Sequence, residues 1–106
     1  MRMKVDSMLY YLDGKNPVKT TDLHEWSEHF TFDNKVVAFD EINGVQISTI
    51  FLGVDLGHGT SGPLLFETLI DDTQIIIYRY STWEQAKAGH LKAVDMVTES
   101  QYANEK

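Results

Sequence analysis

The chain has 106 residues, 9 Lys and Arg against 16 Asp and Glu, and a formal net charge of −7. That is room for one domain with one core, and the excess of acid argues against binding to phosphate backbones or anionic membranes. There is no Cys, which excludes disulfides, thiol nucleophiles and Cys-based zinc sites, while 42% apolar and 11% aromatic residues are the composition of a folded domain.

The opening MRMKVDSMLYYL has no apolar run of signal-peptide length, and the longest apolar stretches, such as Ile75-Ile76-Ile77, fall far short of the roughly 20 residues of a membrane span. The expected location is therefore the cytoplasm. Residues 1–98 are expected to form a single α+β domain, with 99–106 as a flexible tail.

Met8 to Leu12 reads as a short N-terminal strand closed by Asp13-Gly14 and followed by a loop through Asn16-Pro17. A helix is predicted next, capped by Thr21. Leu23, Trp26 and Phe30 form its apolar stripe, and Asp22, Glu25 and Glu28 its acidic outer face.

Lys35 to Ile42 and Val45 to Leu52 are β-rich runs joined by Asn43-Gly44, a strong hairpin signal because a type I′ turn needs positive φ at both positions. Counting from that turn pairs Ile42 with Val45, Asp40 with Ile47, Ala38 with Thr49 and Val36 with Phe51, a face directed to the core. The opposite face carries Val37, Phe39, Ile50 and Leu52, too apolar to be simply solvated. Leu64 to Ile70 and Ile75 to Tyr80 make a second hairpin around Asp71 to Gln74, in the register that sets Glu67 opposite Tyr78 and turns Arg79 to the other face.

Ser81-Thr82-Trp83-Glu84 matches a capping box and starts a second helix, whose buried stripe is Trp83, Ala86, His90, Leu91, Val94 and Val97 and which ends near Thr98. The predicted fold class is α+β: a four-stranded antiparallel meander of two hairpins, with an N-terminal strand and two helices packed on the sheet.

Three constellations bear on chemistry. Gly53 to Pro63 holds four Gly in eleven residues and spells G-x-G-x-x-G, but it lies between strands with no βαβ unit, so the dinucleotide reading fails and what remains is first a broad, irregular strand connection and second a binding loop. Within it Asp55, His58, Thr60 and Ser61 could set a hydroxyl beside an imidazole, without the rigid support that nucleophilic catalysis needs. Glu67 interrupts an apolar strand and requires partners, with the Tyr78 and Tyr80 hydroxyls favoured over Arg79. His24, His29, His58 and His90 show no ligand spacing, and His90 reads as a buried, hydrogen-bonded side chain. No cofactor or metal is expected.

Val45 to Asp55 (VQISTIFLGVD), Gly62 to Thr68 (GPLLFET) and Arg79 to His90 (RYSTWEQAKAGH) resemble a family of small uncharacterised proteins encoded in bacteriophage and prophage genomes. The similarity runs from Tyr11-Leu12-Asp13-Gly14 through Glu25-Trp26 to the last helix. It departs at Leu56, where the family often carries His, and at Leu64, where a second Pro often stands. The resemblance implies an accessory phage gene acting inside the host cell.

Three functions follow as expectations. The first is a non-enzymatic, stoichiometric inhibitor of a host protein such as a defence nuclease, bound through Asp22, Glu25, Glu28, Asp33, Asp40 and Glu41. The second is a binder of a small nucleotide-like ligand, with Asp55, His58, Thr60, Ser61 and Glu67 around it, Arg79 on the phosphate and Tyr80 or Trp83 stacked on the base. The third is a small hydrolase using Asp55, His58 and Glu67. A homodimer is a further possibility; neither nucleic acid nor membrane is an expected partner.

Overall fold

The computed structural model describes residues 4–31, 35–56 and 62–104. Among the described residues it has two antiparallel sheets and two helices, an α+β fold. A two-stranded sheet pairs β1 (Lys4–Asp13) with β2 (Asn16–Asp22), and α1 (Leu23–His29) follows directly. A four-stranded meander runs β3 (Val36–Ile42), β4 (Val45–Phe51), β5 (Phe66–Asp71) and β6 (Ile75–Tyr80), in that order, and α2 (Trp83–Asn104) closes the chain.

The N-terminal region departs most from expectation. The segment read as a loop after Gly14 is strand β2, paired with β1 from Asp13–Asn16 to Leu9–Thr20 and onward through a bulge to Lys4–Asp22. Gly14 has φ 64° at the first position of the two-residue connection, the requirement of a type II′ turn. The polar run Lys19-Thr20-Thr21 is held as a strand by this pairing rather than by its own propensity. The helix cap also moves by one residue: the Asp22 carboxylate accepts from His24 N at 3.0 Å and Glu25 N at 3.2 Å, while Thr21 belongs to β2. One carboxylate oxygen serves two amides that helix geometry leaves unpaired, which a threonine hydroxyl does less well.

The helix α1 packs on the β1–β2 hairpin, so it does not share the meander's inner face with α2. The two sheets meet at the Leu9–Val54 bridge and at the peptide that precedes it. Gly53 O accepts from Tyr10 N at 2.9 Å and from Trp26 Nε1 at 3.0 Å, and Trp26 stacks on Phe30, which in turn meets Phe51. Gly53 has φ 76°, and a Cβ there would lie 2.6 Å from the Phe30 ring, so both the turn and the close approach demand glycine.

The Asn43-Gly44 hairpin forms as predicted, with φ of 48° and 89° and pairs Ile42–Val45, Asp40–Ile47 and Ala38–Thr49. Below Ala38 the register slips. Val36 pairs with Ile50 rather than Phe51, because Val37 is an extra residue in β3, and this bulge turns Val37 toward the core.

In the second hairpin Asp71 pairs with Ile75, leaving a three-residue connection where four were counted. A slip of one residue reassigns every cross-strand partner. Glu67 therefore stands opposite Arg79, and Thr68 opposite Tyr78.

The helix α2 starts one residue later than expected. Thr82 Oγ1 accepts from Gln85 N, and Gln85 Oε1 accepts from Ser81 N and Thr82 N, so the capping box is Thr82 to Gln85 rather than Ser81 to Glu84. It runs to Asn104 instead of ending near Thr98. Gln101 holds the last turns to the first hairpin by donating to Ile42 O at 2.6 Å and accepting from Asn43 Nδ2 at 2.9 Å. Ala86, His90, Ala93 and Val97 form the buried stripe; Leu91, expected within it, is 64% exposed.

The core between α2 and the meander has two apolar clusters. One contains Val45, Ile47, Ile70, Ala93 and Val97, and the other Phe51, Leu65, Phe66 and Ala86. Each fully buried Ile, Leu or Phe contributes about 1.5–3 kcal/mol. Between the clusters each element places a polar side chain: Thr49 on β4, Thr68 on β5 and His90 on α2, none more than 2% exposed.

Candidate functional site

This buried polar layer is a continuous hydrogen-bonded chain. His90 Nε2 lies 2.8 Å from Asp40 Oδ2, His90 Nδ1 lies 2.7 Å from Thr49 Oγ1, and Thr49 Oγ1 lies 2.5 Å from Thr68 Oγ1. A carboxylate only accepts, so Nε2 donates to Asp40. With the neutral ring, Nδ1 then accepts the Thr49 proton and Thr49 accepts from Thr68. Every member is satisfied in one direction, which meets the condition for burying polar groups.

The order carboxylate, imidazole, hydroxyl is that of a nucleophilic triad, yet the hydroxyl is 0% exposed and its oxygen is already engaged by Thr68. No reacting carbonyl can approach it, so the chain acts as a structural layer that fixes α2 on the sheet. The buried, bonded His90 is the one expected. Its partners were not named from the sequence: Thr49 was placed on the inward hairpin face, and Asp40 was assigned to the acidic binding surface.

Of the nucleotide-binding constellation, Arg79 does not converge with Tyr80 and Trp83. Arg79 Nε donates to Glu67 Oε1 at 3.2 Å on the meander's outer face, replacing the tyrosine partners expected for Glu67. Tyr80 follows in sequence and therefore points to the inner face, where its ring lies over Gly89. Trp83 packs edge-on to Phe66 in the second core cluster, with Lys15 Nζ 5.9 Å from its ring. The proposed phosphate and base contacts thus fall on opposite sides of one sheet.

Asp55 Oδ1 accepts from Leu64 N at 3.0 Å and Leu56 N donates to Leu64 O at 3.1 Å, so Asp55 ties the two ends of the Gly-rich connection together. His58, Thr60 and Ser61 lie outside the described residues, as does Asp33. Among the described residues no group of three or more His, Asp or Glu could hold a metal ion.

The acidic residues are differently employed. Asp22 caps α1, Glu25 accepts from Thr20 Oγ1 at 2.7 Å, Glu28 pairs with His24 at 2.6 Å, and Asp40, half exposed, bonds to the buried His90 at the end of the hydrogen-bonded chain. Glu41 remains solvent-exposed. It stands on the meander's outer face in a row with Gln46 and Asp71, with Asp72 next in sequence, and all of these are exposed.

Beside this row the outer face is apolar. Phe39 is 56% exposed, Ile75 64% and Ile77 45%, with half-buried Ile50 and Leu69 between them. Of the apolar residues noted in the sequence for this face, Phe39 is left bare, Ile50 and Leu52 are half-buried, and Val37 is turned to the core by the bulge. Asp71 and Asp72 were missed as members of the acidic edge; the turn they occupy had been read only as a connection.

No helix among the described residues is long and apolar enough to cross a membrane. Compared with known proteins, the chain matches no protein-family model, no curated protein and no solved structure.

Proposed function

We propose that this chain is a non-enzymatic, stoichiometric binder of a host protein, and that it docks through the outer face of the β3–β6 meander. The observation that carries the reading is the combination on that face of bare Phe39, Ile75 and Ile77 with the acidic row Glu41, Asp71 and Asp72. Apolar area of this kind marks interaction surfaces, and an acidic margin selects a basic partner while raising the association rate.

The buried state of Thr49 and His90 favours binding over catalysis, since the triad-like arrangement found among the described residues has no access to a substrate. The resemblance to phage-encoded proteins supplies a setting: a product acting in the host cytoplasm, whose basic partner would be a defence nuclease with a groove for nucleic acid. The acidic surface in this proposal is narrower than the sequence suggested, because Asp22, Glu25, Glu28 and Asp40 are committed within the chain.

The test immobilises the wild-type chain and the double variant Phe39→Ser, Glu41→Lys beside each other in host lysate. A protein retained in equal stoichiometry by the wild type, released by salt and lost from the variant supports the proposal. Equal retention by both, or no retention, overturns it. A nucleotide that stabilises the chain against heat in proportion to RT ln(1 + [L]/Kd) would favour a ligand-binding role instead.

A further inference from the structure

We infer that two copies of this chain join edge to edge through β6, with Ile77 on the two-fold axis, to form one continuous eight-stranded antiparallel sheet. The two edges of the meander are unlike. Strand β3 is interrupted by the Val37 bulge and ends in Asp40 and Glu41, devices that discourage pairing. Strand β6, Ile-Ile-Ile-Tyr-Arg-Tyr, has an unbroken register with β5, no Pro or Gly, and a single charge. Ile75 to Arg79 are all exposed.

The backbone selects the register. Tyr80 O accepts from Leu65 N on the β5 side, so by strand alternation Tyr80, Tyr78 and Ile76 direct their main-chain groups to β5. Ile75, Ile77 and Arg79 direct theirs outward. Pairing Ile77 with its own copy, and Ile75 with Arg79 of the second copy in both directions, uses every outward donor and acceptor of those three residues.

The side chains fit the same register. A groove runs between β6 and α2, which lies mainly over β3, β4 and β5. A cleft of about 380 Å³ beside Ile76 and a smaller one of about 140 Å³ beside Tyr78 and Tyr80 share Met96 as a wall. In the pairing, Tyr78 of one copy stands next to Ile76 of the other, at the mouth of the larger cleft, and Ile76 next to Tyr78, at the smaller. The larger side chain meets the larger space in both directions, which is the self-complementarity a two-fold contact requires.

On the outer face Ile77 meets Ile77, extending the apolar row from Leu69. Arg79, bonded to Glu67, comes within two strand spacings, about 9.6 Å, of Asp71 in the second copy. Covering Ile75, Ile76, Ile77, Tyr78 and Met96, each 37–64% exposed, removes on the order of 1,000 Å² from the pair, the lower bound for a specific interface. The inference shares Ile75 and Ile77 with the proposed function, but the tests separate them: a chain that dimerises and captures nothing fails only the proposed function, and one that captures a partner as a monomer fails only this inference.

Sedimentation equilibrium across the micromolar range tests it. The wild type is expected to be a concentration-dependent dimer, Ile77→Lys a folded monomer by circular dichroism, and Arg79→Glu to dissociate at least about tenfold more readily, since it sets like charges together. Because the chain has no Cys, Ile77→Cys supplies a single thiol. Paired residues about 5.5 Å apart at Cα are within disulfide reach, so this variant is expected to oxidise to a covalent dimer much faster than Phe39→Cys. A wild type that stays monomeric overturns the inference, as does a dimer unaffected by Ile77→Lys or equal oxidation of the two thiol variants.

Discussion

Each of the two faces of the four-stranded meander carries exceptions to the usual distribution of side chains. The face beneath α2 buries Thr49, Thr68 and His90 with almost no exposure, while the opposite face leaves Phe39, Ile75 and Ile77 in contact with solvent. Position relative to water alone accounts for neither. The buried polar groups persist because each bonds the next, and the exposed apolar groups are retained where a partner surface would cover them.

The inner face gives the largest expected effect. His90→Ala is expected to destabilise the fold by about 3 kcal/mol in urea unfolding, because it opens a cavity and strips Thr49 of its acceptor. Thr49→Val is expected to cost about 1–2 kcal/mol by leaving His90 Nδ1 buried without a partner. Replacing the whole layer, as Thr49→Val, Thr68→Val and His90→Leu together, should cost clearly less than the sum of the separate changes. A strictly additive triple variant would show that the three side chains contribute as packing and not as a network.

Smaller effects are expected outside. Arg79→Ala should lower stability by less than about 1 kcal/mol, since its pair with Glu67 is solvent-screened. Phe39→Ser should change the unfolding midpoint by no more than about 0.5 kcal/mol equivalent while weakening partner capture. If it were as costly as Thr49→Val, the contrast between the faces would be lost.

Legibility in the sequence followed how strongly the local chemistry constrains the backbone. Asn43-Gly44 admits few alternatives, so the first hairpin and its inward residues were readable down to Ala38; the Val37 bulge has no local signature. Asp71 to Gln74 accommodates a three- or four-residue connection equally well, and the difference of one residue moved Glu67 from tyrosine to Arg79. Strand β2 carries Pro17 and five polar residues in seven and exists because β1 pairs with it. His90 could be read as a buried, bonded side chain from its place on the apolar stripe, whereas the separation of Arg79 from Tyr80 and Trp83 depends on which face each occupies, and that was set by tertiary register.

The extra residue Val37 has a consequence for how far association can go. A sheet with two bare margins recruits copies at both, and the product is an open-ended fibre. Here one margin of the meander is kinked and charged, so the proposed two-fold union at the other would leave that sheet no receptive strand, and its growth would stop at two chains.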